Sequence, residues 1–322
     1  MIATWDDRFI AGTVELWNKE AVKDGYKRLT EAGFADLFLS NPYFDREATL
    51  VMLGEEGRVQ GFACGCTGDD LPLGKEAGYI TCIVINEAVR NDASFRSMID
   101  ALESRFQQLG KKQADCLFFN PMRLPWVIPG TAGHEHNNAP GVPEGSALHK
   151  FLLNYGYVER AQECGMYMPL AEFRISEEIR AKESKAEGEG YQVEPLDLSK
   201  HGGLEEMLDG LDNPLWREQI PRYAAQGIPV MIAANQGDAA GFAGPILREP
   251  SGRAFFIGIG VHPKHEGHGL GSLLFFKMCE AFQQIGADYM SLFTGINNPA
   301  KRIYEKAGFQ TVKRFAIMRR EF

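Results

Sequence analysis

The chain has 322 residues, 44% hydrophobic and 24% charged, with a formal net charge of −9. That length exceeds the roughly 250–300 residues a single hydrophobic core usually sustains, so two domains are expected. The acidic balance argues against a broad basic face for nucleic acid, and no apolar run approaches the roughly 18 residues of a membrane span. Neither nucleic acid nor membrane is an expected partner.

The opening MIATWDDRF has no basic region followed by an apolar stretch, so a secretory signal is not expected and a cytoplasmic location is. After a helical region come two strand-like segments, ATLVMLG (48–54) and VQGFACGCT (59–67), separated by Glu55-Glu56-Gly57. A longer apolar strand follows, Gly78 to Ile85, then a helix, Phe95 to Leu109, and the strand-like CLFF (116–119). A long irregular segment, Asn120 to Gly145, precedes a closing helix that ends in Gly156-Tyr157. Such a length in a compact domain is usually functional. Trp126, Val127 and Ile128 among prolines suit an ordered cover, either a lid over a substrate region, a dimer contact or decoration. His134 and His136 lack an evident third ligand, so no metal is expected. The six cysteines, Cys64, Cys66, Cys82, Cys116, Cys164 and Cys279, sit mostly in apolar stretches and read as reduced core thiols.

The charge-rich stretch Phe173 to Gly190 reads as a solvated helix or linker. It sets expected boundaries of 1–172, 173–190 and 191–322. Beyond it the order repeats: IPVMIAA (228–234) and AAGFAGPIL (239–247), a long strand over Ala254–Val261, a helix over Gly271–Gln284, YMSLFTG (289–295), and a helix ending in Gly308-Phe309. A duplicated α/β unit explains this economically.

The copies differ between the long strand and the helix after it. The first reads NEAVRNDASF, without glycine. The second reads VHPKHEGHGLGSLL, Val261 to Leu274, with Gly267, Gly269 and Gly271 at alternate positions. A Gly-rich turn between strand and helix leaves backbone N–H groups bare for a phosphate or pyrophosphate. The dinucleotide fingerprint GxGxxG and the P-loop GxxxxGK[ST] both fail on spacing or on the missing lysine.

Two motifs together resemble the GCN5-related N-acetyltransferase (GNAT) family, well over Tyr191–Phe322 and more faintly over the first half. One is Glu266-Gly267-His268-Gly269-Leu270-Gly271, similar to the family's [Q/R]xxGx[G/A]. The other is Asn297, Ala300, Tyr304, Lys306, Gly308 and Phe309, similar to NxxAxxxYxKxGF. The resemblance implies two tandem GNAT-like domains, α/β with a mixed sheet and flanking helices, the first a degenerate copy. It further implies a single active half that transfers acetyl from acetyl-CoA, as cosubstrate and without a metal, to a primary amine. A small-molecule amine is the first expectation; a protein or peptide acceptor, a non-catalytic CoA-sensing or assembly role, and another acyl donor stay open, as does oligomeric state. Implied cofactor contacts are Ile259, Gly260, Val261, Glu266 to Ser272, Asn297, Ala300, Tyr304 and Lys306. A backbone N–H near Gly260 or Val261 would polarise the thioester carbonyl, and Tyr304 would protonate the departing sulfur. At the matching position the first copy has Leu152, which has no proton to donate.

The general base is open between His262, a water relay and a residue of the first half. Gly258 and Gly260 would leave room for the thioester or a bulky acceptor. Asn297 would contact the cofactor or secure the strand end, and Asn298 would cap a helix starting at Pro299. Glu266 departs from the family's Gln or Arg, placing a carboxylate where a pyrophosphate is expected, with Lys264, His265 or His268 as compensating donors.

Overall fold

A computed structural model describes residues 1–116 and 121–322. Asn120 and most of the CLFF segment therefore lie outside the described residues. The chain folds into two compact units of strands flanked by helices, with parallel and antiparallel pairings both present. The first contains Met1–Gly165 together with Phe293–Asn297 and Thr311–Phe322; the second contains Met166–Leu292 and Asn298–Gln310.

In the first unit, β1 (Ile2–Thr4), α1 (Ile10–Glu20) and α2 (Glu31–Phe34) lead into the antiparallel strands β2 (Phe44–Leu53), β3 (Val59–Cys66) and β4 (Ala77–Ile85). The helix α3 (Asp92–Gln108) then crosses over, and β5 (Gln113–Cys116) lies parallel to β4. Phe95, Met98, Ile99, Leu102 and Phe106 recur at helical spacing, and α3 buries all five. Its start is closed by a reciprocal cap: Asn91 Oδ1 accepts from the Ser94 N–H at 3.0 Å, and Ser94 Oγ from the Asn91 N–H at 2.9 Å.

The segment read as irregular carries three short strands, β6 (Trp126–Val127), β7 (Glu135–His136) and β8 (Val142–Pro143). Its backbone finds partners in Gly25 and Lys27, through Val127 N–H to Gly25 O and Lys27 N–H to Pro125 O, so it is ordered despite its prolines. Trp126 is 1% exposed, and its indole N–H donates to Asn138 O. The helix α4 (Ala147–Tyr155) ends on the left-handed Gly156, and β9 (Val158–Pro169) leads out.

The charged stretch after β9 forms a helix, α5 (Glu177–Gly188), that buries Ile179 and Ala186. Next come β10 (Tyr191–Pro195), α6 (Leu204–Gly210), α7 (Pro214–Ala225), β11 (Met231–Asn235) and β12 (Asp238–Gly244). They precede β13 (Leu247–Arg248), β14 (Arg253–Phe255), β15 (Gly258–Val261), α8 (Leu270–Gln284), β16 (Tyr289–Gly295) and α9 (Lys301–Ala307). α8 is apolar nearly all round because the β10-β11-β12-β15 sheet, α5 and α9 all pack on it. Burying Phe275, Phe276 and Phe282 contributes up to about 2–3 kcal/mol each. The last strand, β17 (Gln310–Glu321), returns to the first unit, where it pairs antiparallel with β5, from Met318↔Cys116 to Glu321↔Gln113, and with β8.

All six cysteines are buried and unpaired. Among the described residues no helix is long and apolar enough to cross a membrane.

Candidate active site

The expected single strand over Phe255–Val261 is interrupted. β14 pairs parallel with β16 at Arg253↔Tyr289 and Ala254↔Met290; after Phe256 and Ile257 the chain enters the other sheet, and β15 pairs antiparallel with β12. Two adjacent parallel strands thus part company in the middle of the unit. The Ile257 N–H still bonds to Gly244 O at 2.9 Å, and the His262 N–H to Ala240 O at 2.9 Å. Counted back from His262 along β15, the Gly260 N–H points toward β12 and those of Ile259 and Val261 point away from it; the Ile257 bond, of opposite parity, lies before β15 begins.

The glycines of β15 serve a purpose other than an open cleft. A Cβ on Gly258 would fall 2.4 Å from the Trp216 indole, and one on Gly260 would fall 2.6 Å from Leu211. The Trp216 indole N–H donates to Ile257 O at 3.1 Å, fastening α7 to the break in the strand. The room foreseen for a thioester or acceptor at these two positions is occupied by Trp216 and Leu211.

From β15 the chain makes a short 3-10 turn, Pro263–His265, and reaches α8 through Glu266, Gly267, His268 and Gly269. Gly267 and Gly269 have φ of 85° and 76°, a left-handed backbone that a side chain disfavours. α8 has no side-chain cap. The first amide to close a bond is Ser272, whose N–H donates to Gly269 O at 3.1 Å. The N–H groups of Gly267, His268, Gly269, Leu270 and Gly271 therefore have no protein acceptor among the described residues. Five such donors at the positive end of a 15-residue helix have the chemistry to accept a multiply charged oxyanion.

The side chains around the turn are largely engaged. His262 Nδ1 accepts the Lys264 N–H at 3.1 Å and so caps the 3-10 turn. His265 Nδ1 and the Tyr191 hydroxyl share a hydrogen bond at 2.9 Å, and burial, with His262, His268 and Lys264 adding to it, lowers the His265 imidazole below its usual value. His268 pairs with Glu189. Glu266 is exposed and makes no ion pair among the described residues. One cation near the turn comes from the stretch read as a linker: the Lys182 Cδ on α5 lies 4.0 Å from where a Gly269 Cβ would stand. Lys182 and Lys306 both pair with Glu178, at 3.0 and 2.8 Å, and hold its carboxyl down at about 2, Lys306 contributing most.

Tyr304 is half-buried on α9 with its ring 4.9 Å from Phe275, one helical turn along α8 from Gly271. No group among the described residues bonds its hydroxyl. Burial raises the phenol above its ordinary value near 10, so it carries its proton throughout the neutral range. Ala300 is the N-cap residue of α9, which begins at Lys301 rather than Pro299. Asn298 Oδ1 accepts the Ala300 N–H at 2.9 Å. Asn297 is exposed and belongs to the first unit's segment Phe293–Asn297.

The family model of the acetyltransferase (GNAT) family matches residues 202–309, which include the parted strands, the uncapped α8 start and Tyr304. Residues 202–309 are a GNAT domain. No curated protein matches the chain in sequence. Among solved structures, the GNAT fold extends over the whole chain. A fungal structure, described as a GCN5-related glucosamine N-acetyltransferase region in a multi-domain GH3 β-N-acetylglucosaminidase, matches 99% of this chain at 13% identity and TM-score 0.68. The chain spans 38% of that protein's length. A GCN5-related N-acetyltransferase from Sphaerobacter thermophilus matches all of this chain and 95% of its own, at 11% identity and TM-score 0.63. A tandem GNAT protein from the clavulanic acid biosynthesis pathway matches all of this chain and 98% of its own, at 15% identity and TM-score 0.57. Two GNAT-fold units in tandem are thus the architecture, and acyl transfer is the chemistry of the family.

Lys182 could not be found by motif. It reaches the glycine turn from α5, more than eighty positions earlier, and its only sequence signal is the basic content of the stretch before Gly190.

Proposed function

We propose that the GNAT domain is an N-acetyltransferase that moves an acetyl group from acetyl-CoA to a primary amine of a small molecule, by direct attack in a ternary complex. We take residues 191–322 as the catalytic repeat and 1–172 as its degenerate partner. The run of five acceptor-free amides, Gly267 to Gly271, carries the reading: it suits the pyrophosphate of acetyl-CoA, with Lys182 as an additional counter-charge.

The residues then take these roles. The Val261 N–H, turned away from β12, stabilises the thioester oxygen as negative charge develops. The amine nitrogen forms a bond to the acyl carbon, the carbon–sulfur bond breaks, and the Tyr304 phenol gives its proton to the departing thiolate. The acceptor's ammonium gives one proton to water before it attacks, and the second proton its nitrogen sheds on forming the amide returns through water to the Tyr304 phenolate, restoring the phenol. His262 is poorly placed to take either proton, because its Nδ1 lone pair already accepts the Lys264 N–H and its neutral ring must then carry the proton on Nε2.

The test is release of free thiol from acetyl-CoA, followed over a library of small amines. Amino sugars belong in it, because the fungal neighbour is described as a glucosamine N-acetyltransferase region. Amine-dependent thiol release with a matching acetylated product supports the proposal. Tight acetyl-CoA binding without turnover for any amine overturns it in favour of a non-catalytic CoA-binding module.

A further inference from the structure

Three basic side chains at or near the glycine turn are held by two carboxylates of the charged stretch before β10. Glu178 Oε1 pairs with Lys182 of α5 at 3.0 Å and with Lys306 of α9 at 2.8 Å. Glu189, just past α5, pairs with His268 in the turn itself. The Lys182 Cδ lies 4.0 Å from where a Gly269 Cβ would stand, and its ammonium is one methylene beyond. The Glu178 charge thus sits within roughly 10 Å of the acceptor-free amides, about a Debye length at 0.1 M salt.

The pairs to Glu178 exchange readily. The side chains of Glu178, Lys182 and Lys306 are 54%, 35% and 55% exposed, and ion pairs this open to water add little to stability. α5 keeps its place by other means. It buries Ile179 and Ala186, and its Glu183 holds Lys277 of α8 at 2.7 Å, both side chains largely covered. The charge of Glu178 can therefore be removed without freeing the helix, and its main effect falls on the two lysines it neutralises.

We propose that Glu178 competes with the diphosphate of acetyl-CoA for Lys182 and so holds the affinity for acetyl-CoA down. The proposal rests on the pyrophosphate reading of Gly267 to Gly271. A diphosphate on those amides draws Lys182 to itself only by breaking the bond to Glu178, and it then lies near a carboxylate of like sign. Lys306 remains to partner the displaced carboxylate.

Calorimetry with acetyl-CoA on the full chain tests it. Glu178→Gln keeps the shape of the side chain and removes its charge. It should lower the Kd about fivefold in roughly 0.02 M salt and less than about twofold in roughly 0.5 M salt, where the charges are screened. In a Lys182→Met background the same substitution should gain less than about twofold even at low salt, because the contested cation is gone. A merely structural role for Glu178 would move the affinity the other way, since a loosened α5 takes Lys182 from the turn. An unchanged or raised Kd in Glu178→Gln overturns the proposal, as does a gain undiminished without Lys182. Gly269→Val separates this failure from failure of the reading beneath it. If Gly269→Val binds acetyl-CoA as the wild type does, or if the wild type does not bind it, the turn does not hold the diphosphate and both fall. If Gly269→Val is weakened and Glu178→Gln is no tighter than wild type, the turn keeps its ligand and only the competition is refuted.

Discussion

The same strand–turn–helix passage is built twice, and its two versions end differently. In both, a polar side chain just after the strand caps a 3-10 turn: Asn86 Oδ1 accepts from Ala88 N–H at 3.1 Å, and His262 Nδ1 from Lys264 N–H at 3.1 Å. The first copy then reaches α3 through only Arg90 and Asn91, and the cap between Asn91 and Ser94 satisfies the helix start internally. The second takes two residues more, and glycines in left-handed conformation leave the start of α8 to be satisfied from outside. A side-chain cap and an anion site are alternative uses of the same unpaired amides. The first unit's helix start is satisfied internally, and the second's is left open.

That contrast can be tested where the expected effects are largest. Tyr304→Phe should lower kcat on the order of 100-fold and leave acetyl-CoA affinity within about twofold in calorimetry. The variant would then resemble the first copy, whose counterpart is the buried Leu152. Since burial raises the phenol above its ordinary value, proton donation is lost only at a pH above 10. The wild-type rate should accordingly climb with pH as the amine deprotonates and show no alkaline fall below about pH 10. A decline near pH 8 would assign the donor elsewhere.

Gly269→Val attacks the open helix start. A β-branched residue at φ 76° costs roughly 1–2 kcal/mol and disturbs the free amides beside it. The Kd of acetyl-CoA should rise on the order of 30-fold; unchanged affinity would remove the pyrophosphate from this turn. Asn91→Ala is the mirror experiment. It should destabilise the protein by about 1 kcal/mol in denaturant unfolding and leave acetyl-CoA binding as it was. His262→Asn, which copies the first unit's cap, should change kcat less than about threefold, whereas loss of a general base costs on the order of 100-fold or more. A 100-fold loss would restore His262 to the chemistry.

Much of this was legible in the chain itself, because the deciding signals are local. Three alternating glycines, the absence of any in NEAVRNDASF, and Tyr304 against Leu152 all sit in short windows whose order repeats. What escaped was non-local. The apolar run Phe255–Val261 has nothing in it that marks a break, since the break is made by two different partner strands and by Trp216 from α7. Gly258 and Gly260 looked like space for a ligand, yet the space belongs to side chains some forty to fifty residues earlier. The charged stretch before Gly190 read as a spacer because only Ile179 and Ala186 face inward, although Lys182 stands beside the glycine turn.

The return of β17 to the first unit has a consequence in time. Residues 311–322 are synthesised about 200 residues after β5, the strand they pair with. At ~5–20 residues per second, the ribosome delivers them roughly 10–40 s later. Until then β5 presents an unpaired edge on that side, the kind of surface on which other chains template. The first repeat to be made is therefore among the last to be finished.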